Sequence, residues 1–354
     1  MTPPTEAAST IASSTGTPTA RRFAVLGLGR TGLAYAMAVS QHPDCALAGF
    51  VEPRGALRAF ARGAGFAEPS CSTLAQLAAR VRPDTAIVAA PPEDRGAALE
   101  AAVAAGLATL VDGLPVSHAD GAARLATVIA GARAPVGCAF GVLFHPLFAR
   151  AISVIEAGAL GGLSEIRASV YVSRVFSADG PPARGDVLDA AVAELLVLLD
   201  AMFGPARQVA ATGQRLYGAR LDEVHARVRL AGGRELGVDG SWSVPGYPRA
   251  SLVVEVVGER GGLLVSDDAL EADLPAACEG LPRGHTRRVL ADERDVLAFE
   301  SGDSARPFAA FAASLPDGPL LDALDPRRAL RVARLLDAIR RSVAATGAEQ
   351  EVSS

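Results

Sequence analysis

The sequence contains no lysine, so all 34 basic residues of the 354-residue chain are arginines. This absence excludes reactions that depend on a lysine side chain, including Schiff-base catalysis and the Walker A phosphate-binding loop. Arginine stays protonated at any working pH and cannot replace lysine as a proton donor or acceptor. Any proton transfer at a reactive site must therefore use another kind of side chain.

Cysteine and histidine are also scarce. The four cysteines lie far apart, without a CxxC pair or a histidine at metal-ligand spacing. We therefore expect no metal site and no disulfide framework, which is typical of a reduced, cytoplasmic protein. The cysteines are Cys45, Cys71, Cys138 and Cys278.

Excess positive charge and long apolar runs are missing as well. A net charge of -5 leaves no basic surface to neutralise a phosphate backbone, so nucleic acid is not an expected partner. The longest uncharged apolar stretches, such as residues 101–111, fall short of the roughly 18 residues that a membrane span needs. We therefore expect no membrane association.

What is present is a hydrophobic content of 50%, enough to build a large core. Residues 1–20 are rich in Thr, Ser, Ala and Pro and predict a disordered tail. The remaining length suggests two domains, at residues 21–140 and 141–346, followed by a second tail at residues 347–354. The boundary near residue 140 is where the sequence pattern changes.

Short apolar strands alternate with helices before that boundary, which predicts a parallel sheet covered on both faces. After it, a long helix at residues 187–202 accompanies a series of strands separated by glycine-containing turns. The predicted fold class is α/β, with an N-terminal Rossmann domain and a C-terminal α/β domain built on an open, mainly antiparallel sheet.

One motif carries chemistry. A GxGxxG turn, Gly27-Leu28-Gly29-Arg30-Thr31-Gly32, joins the first predicted strand to the first helix, and Glu52 ends the next strand. Glycines at this spacing let backbone N–H groups approach a pyrophosphate at a helix N-terminus, and an acidic residue at that distance binds the adenosine ribose. These features predict NAD, whereas Arg54 leaves NADP as the alternative cofactor because it offers charge to a 2′-phosphate.

The chain resembles the Gfo/Idh/MocA oxidoreductases over most of residues 23–346. Further segments that carry the resemblance are Ala89-Ala90-Pro91-Pro92, Thr109-Leu110-Val111-Asp112, Phe144-His145-Pro146 and Val257-Gly258-Glu259-Arg260-Gly261. The resemblance implies hydride transfer between a nicotinamide and a sugar, polyol or related carbonyl. It also implies that Ala90, Pro91, Pro92 and Asp112 flank the cofactor, and that the second domain forms a homodimer or homotetramer.

The chain departs from this family at three places where the family carries its chemistry. The family's Glu-Lys-Pro is replaced by Asp112-Gly113-Leu114-Pro115, and an arginine before the Phe-x-Pro segment is replaced by Leu143. The family's long helix carries an Asp followed four residues later by a proton-exchanging His. Here counting forward from Asp189 reaches Ala193, whereas counting back from Phe203-Gly204 reaches Glu194.

The candidate catalytic residues are therefore His145, Glu194, Asp189 and Asp112. His145 has the side chain whose ordinary pKa lies nearest neutrality, and the resemblance implies a place beside the nicotinamide. Glu194 lies in an apolar helix, where a carboxylate can act as general acid or base. The alternatives are a surface His before Pro, an arginine-paired or solvent-facing Glu, and, for Asp186 and His118, roles at helix starts.

Two functional hypotheses follow. The first is an NAD(P)-dependent oxidoreductase that acts on a small polar carbonyl, alcohol or imine without a catalytic lysine. The second is a dinucleotide-binding protein on the same scaffold without dehydrogenase activity, such as a partner subunit, a sensor or an enzyme of non-redox chemistry. The three departures are the reason for the second hypothesis.

Overall fold

The computed structural model describes residues 20–173, 175, 185–292, 304–315 and 318–353, and these form two sheets with helices. Residues 1–19 of the expected N-terminal tail lie outside the described residues. The first sheet has six strands in the order β3-β2-β1-β4-β5-β6, and every pair in it is parallel. The predicted parallel, nucleotide-binding type of sheet is confirmed.

The strands of the first sheet alternate with helices. The strands are β1 (Arg21–Leu26), β2 (Cys45–Val51), β3 (Ser70–Cys71), β4 (Thr85–Val88), β5 (Ala108–Asp112) and β6 (Val136–Ala139). The helices are α1 (Arg30–Gln41), α2 (Gly55–Gly63), α3 (Leu74–Val81), α4 (Pro92–Ala104) and α5 (Ala119–Ala130). The strand order reverses between β1 and β4, and the ends of these two strands open the crevice where such sheets bind ligands.

Alternate residues of β1 pack into different hydrophobic clusters because successive side chains of a strand point to opposite faces of the sheet. Phe23 and Val25 pack in a cluster with Tyr35 of α1, whereas Ala24 and Leu26 join the larger core that continues into the second domain. All four side chains are buried. The continuous apolar run in the sequence reflects this burial on both faces.

The second sheet has nine strands in the order β14-β13-β12-β11-β7-β10-β9-β8-β15. The strands are β7 (Leu163–Tyr171), β8 (Ala206–Gln214), β9 (Glu223–Leu230), β10 (Glu235–Ser241), β11 (Ser251–Gly258), β12 (Gly261–Ser266), β13 (Ala269–Leu274), β14 (Gly284–Val289) and β15 (Gln350–Glu351). All its pairs are antiparallel except β7 with β10, so the mainly antiparallel sheet is confirmed.

Helices cover one face of this sheet. They include α6 (Pro146–Glu156), which follows a 3-10 turn at Gly141–Phe144, and α7 (Ala193–Phe203), which follows a π-helical turn at Leu188–Val192. The long helix predicted at residues 187–202 therefore forms with a local widening at its start. A π-helical turn accommodates one extra residue, and such turns occur frequently at functional sites.

The last helices belong to both domains. Helix α8 (Ala305–Ala313) packs against α1 and β6 of the first sheet, and Phe308 meets Phe23 edge-to-face at 5.4 Å between ring centroids. Helix α9 (Pro326–Ala344) packs on β8, α5 and α7 and so contacts both domains. The span 141–346 predicted as one domain thus contains a segment that packs on the other, because its phenylalanines complete the first core.

The expected tail at residues 347–354 is a second difference. Gln350 and Glu351 form β15, which pairs antiparallel with Val209 and Gln208 of β8. The pairing satisfies backbone groups at an otherwise open sheet edge. The sequence of this segment is polar and short, and it gives no alternating signal that would have predicted a strand.

Candidate functional site

The glycine turn between β1 and α1 has the conformation that the motif predicts. Gly27 has a φ of +103°, and a Cβ built there would lie 2.5 Å from the carbonyl oxygen of Ala89. A Cβ built on Gly32 would clash with the carbonyl oxygen of Gly27. These two glycines therefore allow the turn to pack closely against the end of β4 and the start of α1.

Gly29 differs from its two neighbours. It caps α1 with a φ of -73°, its position makes no side-chain cap, and a Cβ built there has no atom within 4 Å. The N–H groups of the first helical turn therefore face open space at the positive end of the helix. Leu28 is buried, Thr31 is half-buried and Arg30 is exposed. This is the arrangement in which a helix N-terminus binds a phosphate group.

A cleft of about 350 Å³ opens beside this turn, at the carboxyl ends of β1 and β2. Its size is within the range of small-molecule and cofactor sites. The residues that line it include members of the glycine turn, the end of β2 and the start of α4. They are Leu26, Gly27, Val51, Glu52, Pro53, Arg54, Leu74, Ala90, Pro91, Glu93, Asp94, Ala98 and Ala101.

Glu52 and Arg54, predicted as rival cofactor determinants, form one ion pair. The Glu52 side chain is 1% exposed, and its Oε1 lies 2.7 Å from Nε of Arg54, which also donates from Nη2 to Oε2 at 3.0 Å. The backbone N–H groups of Arg54 and Leu28 donate to the same carboxylate at 2.9 and 3.1 Å. Burial raises the pKa of Glu52, but these hydrogen bonds outweigh it and lower the pKa to about 2.

The start of α4 forms the opposite wall. Pro91 caps this helix and Pro92 is its first residue, a position that proline favours because no N–H is needed there. The backbone carbonyl of Ala90 accepts a hydrogen bond from Nε of Arg95 at 3.0 Å. The strand-end segment predicted from the resemblance therefore lies against the cleft, and it also holds an arginine that the sequence did not single out.

A charged cluster lies where the two domains meet. Asp112 accepts a hydrogen bond from the Tyr35 hydroxyl at 3.0 Å, and the Arg95 guanidinium interacts electrostatically with Asp112, Tyr35 and Glu194. Burial raises the pKa of Tyr35 well above its ordinary value, and the charge of Asp112 raises it further. Of the four predicted catalytic residues, Asp112 and Glu194 thus both contribute to the electrostatic surroundings of Arg95.

The π-helical turn explains the ambiguous register of the long helix. It spans Leu188–Val192, which includes Asp189 and ends before Glu194, so its one extra residue shifts any count made forward from Asp189. Helix α7 is regular from Ala193 onward, so the count back from Phe203-Gly204 applies. Ala193 is buried and Glu194 is exposed on a helix whose next five residues are all buried. Glu194 is thus an exposed carboxylate at the start of a largely buried helix.

The other two predicted catalytic residues lie in different surroundings. The His145 side chain is 3% exposed at the start of α6, with its ring centroid 4.9 Å from that of Phe148. Asp189 binds Nη2 of Arg340 on α9 at 2.7 Å. The surface position considered for His145 is wrong, because the ring is buried in the packing of α6.

Two of the alternative structural roles are confirmed. The Asp186 carboxylate accepts the backbone N–H of Leu188 at 3.0 Å, as a helix-start residue does. His118 caps α5, and its Nδ1 accepts the N–H of Gly121 at 3.0 Å. These two side chains are therefore engaged in local backbone structure.

Within the ranges that the structure describes, no three His, Cys, Asp or Glu side chains come together as a metal-binding group would. In the same ranges, no helix has the length and apolar character needed to cross a membrane. All four cysteines are free.

The fold and cleft define a two-domain α/β protein with a Rossmann-type nucleotide-binding domain. Residues 21–137 match a family model described as the oxidoreductase family GFO_IDH_MocA, NAD-binding Rossmann fold. Over these residues the chain is similar to the Gfo/Idh/MocA oxidoreductases, in agreement with the resemblance that the sequence motifs indicated. A comparison with curated proteins finds no match.

Solved structures extend the similarity over both domains. A levoglucosan dehydrogenase in complex with NADH and levoglucosan is 18% identical, with a TM-score of 0.82 over 95% of this chain and 100% of that one. GenD2 from gentamicin A biosynthesis, in complex with NAD, is 23% identical, with a TM-score of 0.76 over 95% and 97%. The WlbA dehydrogenase from Bordetella pertussis, in complex with NADH and UDP-GlcNAcA, is 16% identical, with a TM-score of 0.79 over 95% and 99%. At these identities, the similarity establishes the shared fold.

Proposed function

We propose that this protein is an NAD-dependent oxidoreductase that acts on a small polar alcohol, carbonyl or imine compound, with sugar-like alcohols as the preferred class. One observation carries the proposal: the glycine turn, whose Gly27 lines a cleft of cofactor size, leads into the open N-terminus of α1 at Gly29. The neighbouring structures solved with NAD or NADH and with sugar ligands support the same class of reaction.

The residues present fit a dinucleotide. The space beside Gly29 accommodates a pyrophosphate, which the N–H groups of Arg30 and Thr31 would bind, while Glu52 and Arg54 flank the adenosine ribose. When bound, the nicotinamide accepts or supplies the hydride of the reaction. Ala90, Pro91 and Asp112 would then border the cofactor on the side of α4 and β5.

NAD is the proposed form, in preference to NADP. Glu52 keeps its negative charge at all working pH values because its pKa is about 2, and Glu93 and Asp94 line the same cleft. These carboxylates disfavour a 2′-phosphate. Arg54 is already paired with Glu52, and the carboxylate largely neutralises the positive charge that Arg54 would offer to a 2′-phosphate.

Glu194 is the proposed proton-transfer group. It is exposed at the domain junction and interacts with Arg95, whereas His145 is buried against Phe148. A glutamate carboxylate can act as a general base when it lies within hydrogen-bond reach of the proton that it takes from an alcohol. Asp112, bound by the Tyr35 hydroxyl, would shape the hydrogen bonding around the reacting group.

The second candidate function is a dinucleotide-binding scaffold without dehydrogenase activity. It is favoured by the engagement of His145 in core packing and of Asp189 with Arg340. Both functions predict cofactor binding, but only the oxidoreductase predicts turnover. An assay of NADH formation or consumption on a panel of sugars, polyols, keto compounds and imines separates them, because a panel without any turnover would favour the scaffold.

Gly29→Val is expected to weaken NADH binding at least about tenfold, which corresponds to roughly 1.4 kcal/mol. The valine side chain would occupy the open space at the N-terminus of α1, and the backbone φ of -73° accepts it without strain. Titration of NADH fluorescence measures the affinity.

Gly232→Val is the matched control, since a Cβ there also meets no atom within 4 Å but the residue lies in the turn between β9 and β10. It should bind NADH as the wild type does. Equal affinities of the Gly29 variant and the control would contradict the proposed cofactor site. Titration of the wild type with NADPH tests the cofactor preference, and tighter binding of NADPH would assign Arg54 to a 2′-phosphate.

A homodimer or homotetramer formed through the outer face of the second sheet is the proposed assembly. Val257 and Leu264 are exposed on that face, on the adjacent strands β11 and β12. Light scattering at micromolar concentration is expected to give a multiple of the 36.1 kDa chain mass. A monomer mass would remove this proposal without affecting the cofactor site.

A further inference from the structure

Arg95 is fixed by backbone carbonyls, one of which belongs to Ala90 in the lining of the cofactor cleft. Its Nε donates to the carbonyl of Ala90 at 3.0 Å, and its Nη1 lies 3.5 Å from the carbonyl of Leu114. The first of these follows β4 and the second follows β5, so the guanidinium bridges the carboxyl ends of two neighbouring strands. Open parallel sheets bind their ligands at this edge.

The charges around Arg95 come from both domains. Burial lowers the pKa of the guanidinium, while the charges of Asp112 and Glu194 act in the opposite direction. Asp112 ends β5 of the first domain, and Glu194 begins α7 of the second. Carboxylates of both domains therefore contribute to the electrostatic surroundings of Arg95.

The absence of a side chain at Gly113 leaves room for the guanidinium of Arg95. Its φ is +78°, and a Cβ built on it would lie 2.6 Å from Nη1 of Arg95. Any other residue at position 113 would strain the backbone and displace the guanidinium. A glycine at this point is thus the local condition for the observed position of the arginine.

The guanidinium retains hydrogen-bonding capacity. Of its five N–H groups, the two named above are the only ones that donate to a residue in the described part of the chain. A half-buried cation with unused donors needs further partners to offset its desolvation. A ligand oxygen at the domain junction supplies such a partner.

We infer that Arg95 binds the reacting oxygen of the substrate, with Glu194 as its proton partner; this rests on the proposed function. In the oxidation direction, a bound oxidised nicotinamide would accept the hydride, with its two electrons, that leaves the C–H carbon of the alcohol. The O–H proton passes to the Glu194 carboxylate, and the C=O bond forms. Arg95 donates to that oxygen throughout and exchanges no proton, because its charge is permanent.

The carboxylates define the substrate class further. The Arg95 guanidinium donates hydrogen bonds and the Asp112 carboxylate accepts one from Tyr35, so donors and acceptors occur together in this cluster. Adjacent donors and acceptors suit a neutral polyhydroxy compound, whose neighbouring hydroxyl groups both donate and accept. The inferred substrate is an uncharged polyol or sugar at its reacting end.

Arg95→Ala is expected to lower kcat by about a hundredfold or more on the polyol that the wild type turns over best, with NADH affinity unchanged. Guanidinium chloride at millimolar concentration is expected to restore part of the rate to this variant. Sodium chloride at the same ionic strength should not. Arg124→Ala is the matched control, because Arg124 is exposed and pairs with Glu100 on the outer side of α4.

If Arg95 had only a structural role, added guanidinium would not raise the turnover of the Arg95→Ala variant. Absence of this rescue would overturn the inference. Arg95→Lys provides a second variant if the alanine variant unfolds, and it should keep more activity than the alanine variant because it retains a cation. Calorimetric titration of the NADH-saturated protein with myo-inositol and levoglucosan tests binding without turnover. Wild-type binding that Arg95→Ala loses supports the inference, and equal binding overturns it.

The outcomes separate this inference from the proposed function. An active wild type with an equally active Arg95→Ala variant overturns only the role of Arg95. A wild type that binds NADH but neither turns over nor binds any polyol overturns both the role of Arg95 and the proposed activity.

Discussion

Glu194→Gln is expected to lower kcat by about a hundredfold or more, which is the size of effect that loss of a general acid or base produces. NADH affinity is expected to stay unchanged. Glutamine keeps the volume and hydrogen bonding of the side chain but cannot exchange a proton at neutral pH. The exposed position of Glu194 at the start of α7 makes a change in folding small. Steady-state assays on any active substrate, together with fluorescence titration of NADH, measure the two quantities.

Glu156→Gln is the control for this substitution, since Glu156 is an exposed glutamate at the end of α6. His145→Ala tests the rival proton carrier. We expect it to lower the melting temperature, because the ring packs on Phe148, and to change kcat less than the Glu194 variant does. A full-activity Glu194→Gln beside a folded but inactive His145→Ala would transfer the proton role to His145.

Asp200→Ala is expected to reduce the free energy of unfolding by about 3–5 kcal/mol. The Asp200 carboxylate on α7 is 7% exposed and lies 2.6 Å from Nη2 of Arg331 and 3.3 Å from Nε of Arg328, both on α9. Its hydrogen bond raises the pKa of Arg331. Among the described residues, the carboxylate that the buried Arg328 keeps without Asp200 is that of Asp322, whose side chain is largely exposed. Urea unfolding followed by circular dichroism measures the loss.

Asp337→Ala provides the comparison on the same helix. Asp337 pairs with Arg341 one turn away, at 3.3 Å and with partial exposure of both side chains. Such pairs contribute little, so the expected change is within about 0.5 kcal/mol. Equal effects of the two substitutions would show that the Asp200 cluster does not hold α7 and α9 together.

The local chemistry of the cofactor cleft could be predicted from the sequence. The roles of the motif glycines and of the acidic residue after β2 are set by the conformation of a few neighbouring residues. In the structure, Gly27 has a positive φ and Glu52 lines the cleft, as the motif predicts. The long helix predicted at residues 187–202 also forms, as the π-helical turn followed by α7, which ends at Phe203. Such features follow from local rules of backbone geometry and side-chain alternation.

The cluster around Arg95 could not be predicted in the same way. Arg95, Asp112 and Glu194 are separated along the chain, and only the packing of two domains brings their charges together. The π-helical turn before α7 was visible in the sequence only as a one-residue disagreement between two counts. Burial of His145 depends on the packing of α6, which a sequence pattern around a single His-Pro pair does not reveal.

The return of α8 to the first sheet has a consequence for modularity. The chain enters the second domain after β6, and residues 305–313 come back to place Phe308 and Phe311 in the first core. A fragment that stops at residue 140 would lack this covering and expose the rings of Phe23 and its neighbours to water. The first domain therefore needs residues from two separate segments of the chain to complete its core. A single recombination breakpoint in the gene would not transfer both segments. Exchange of this domain between proteins would require two cuts, or a replacement for the returning helix.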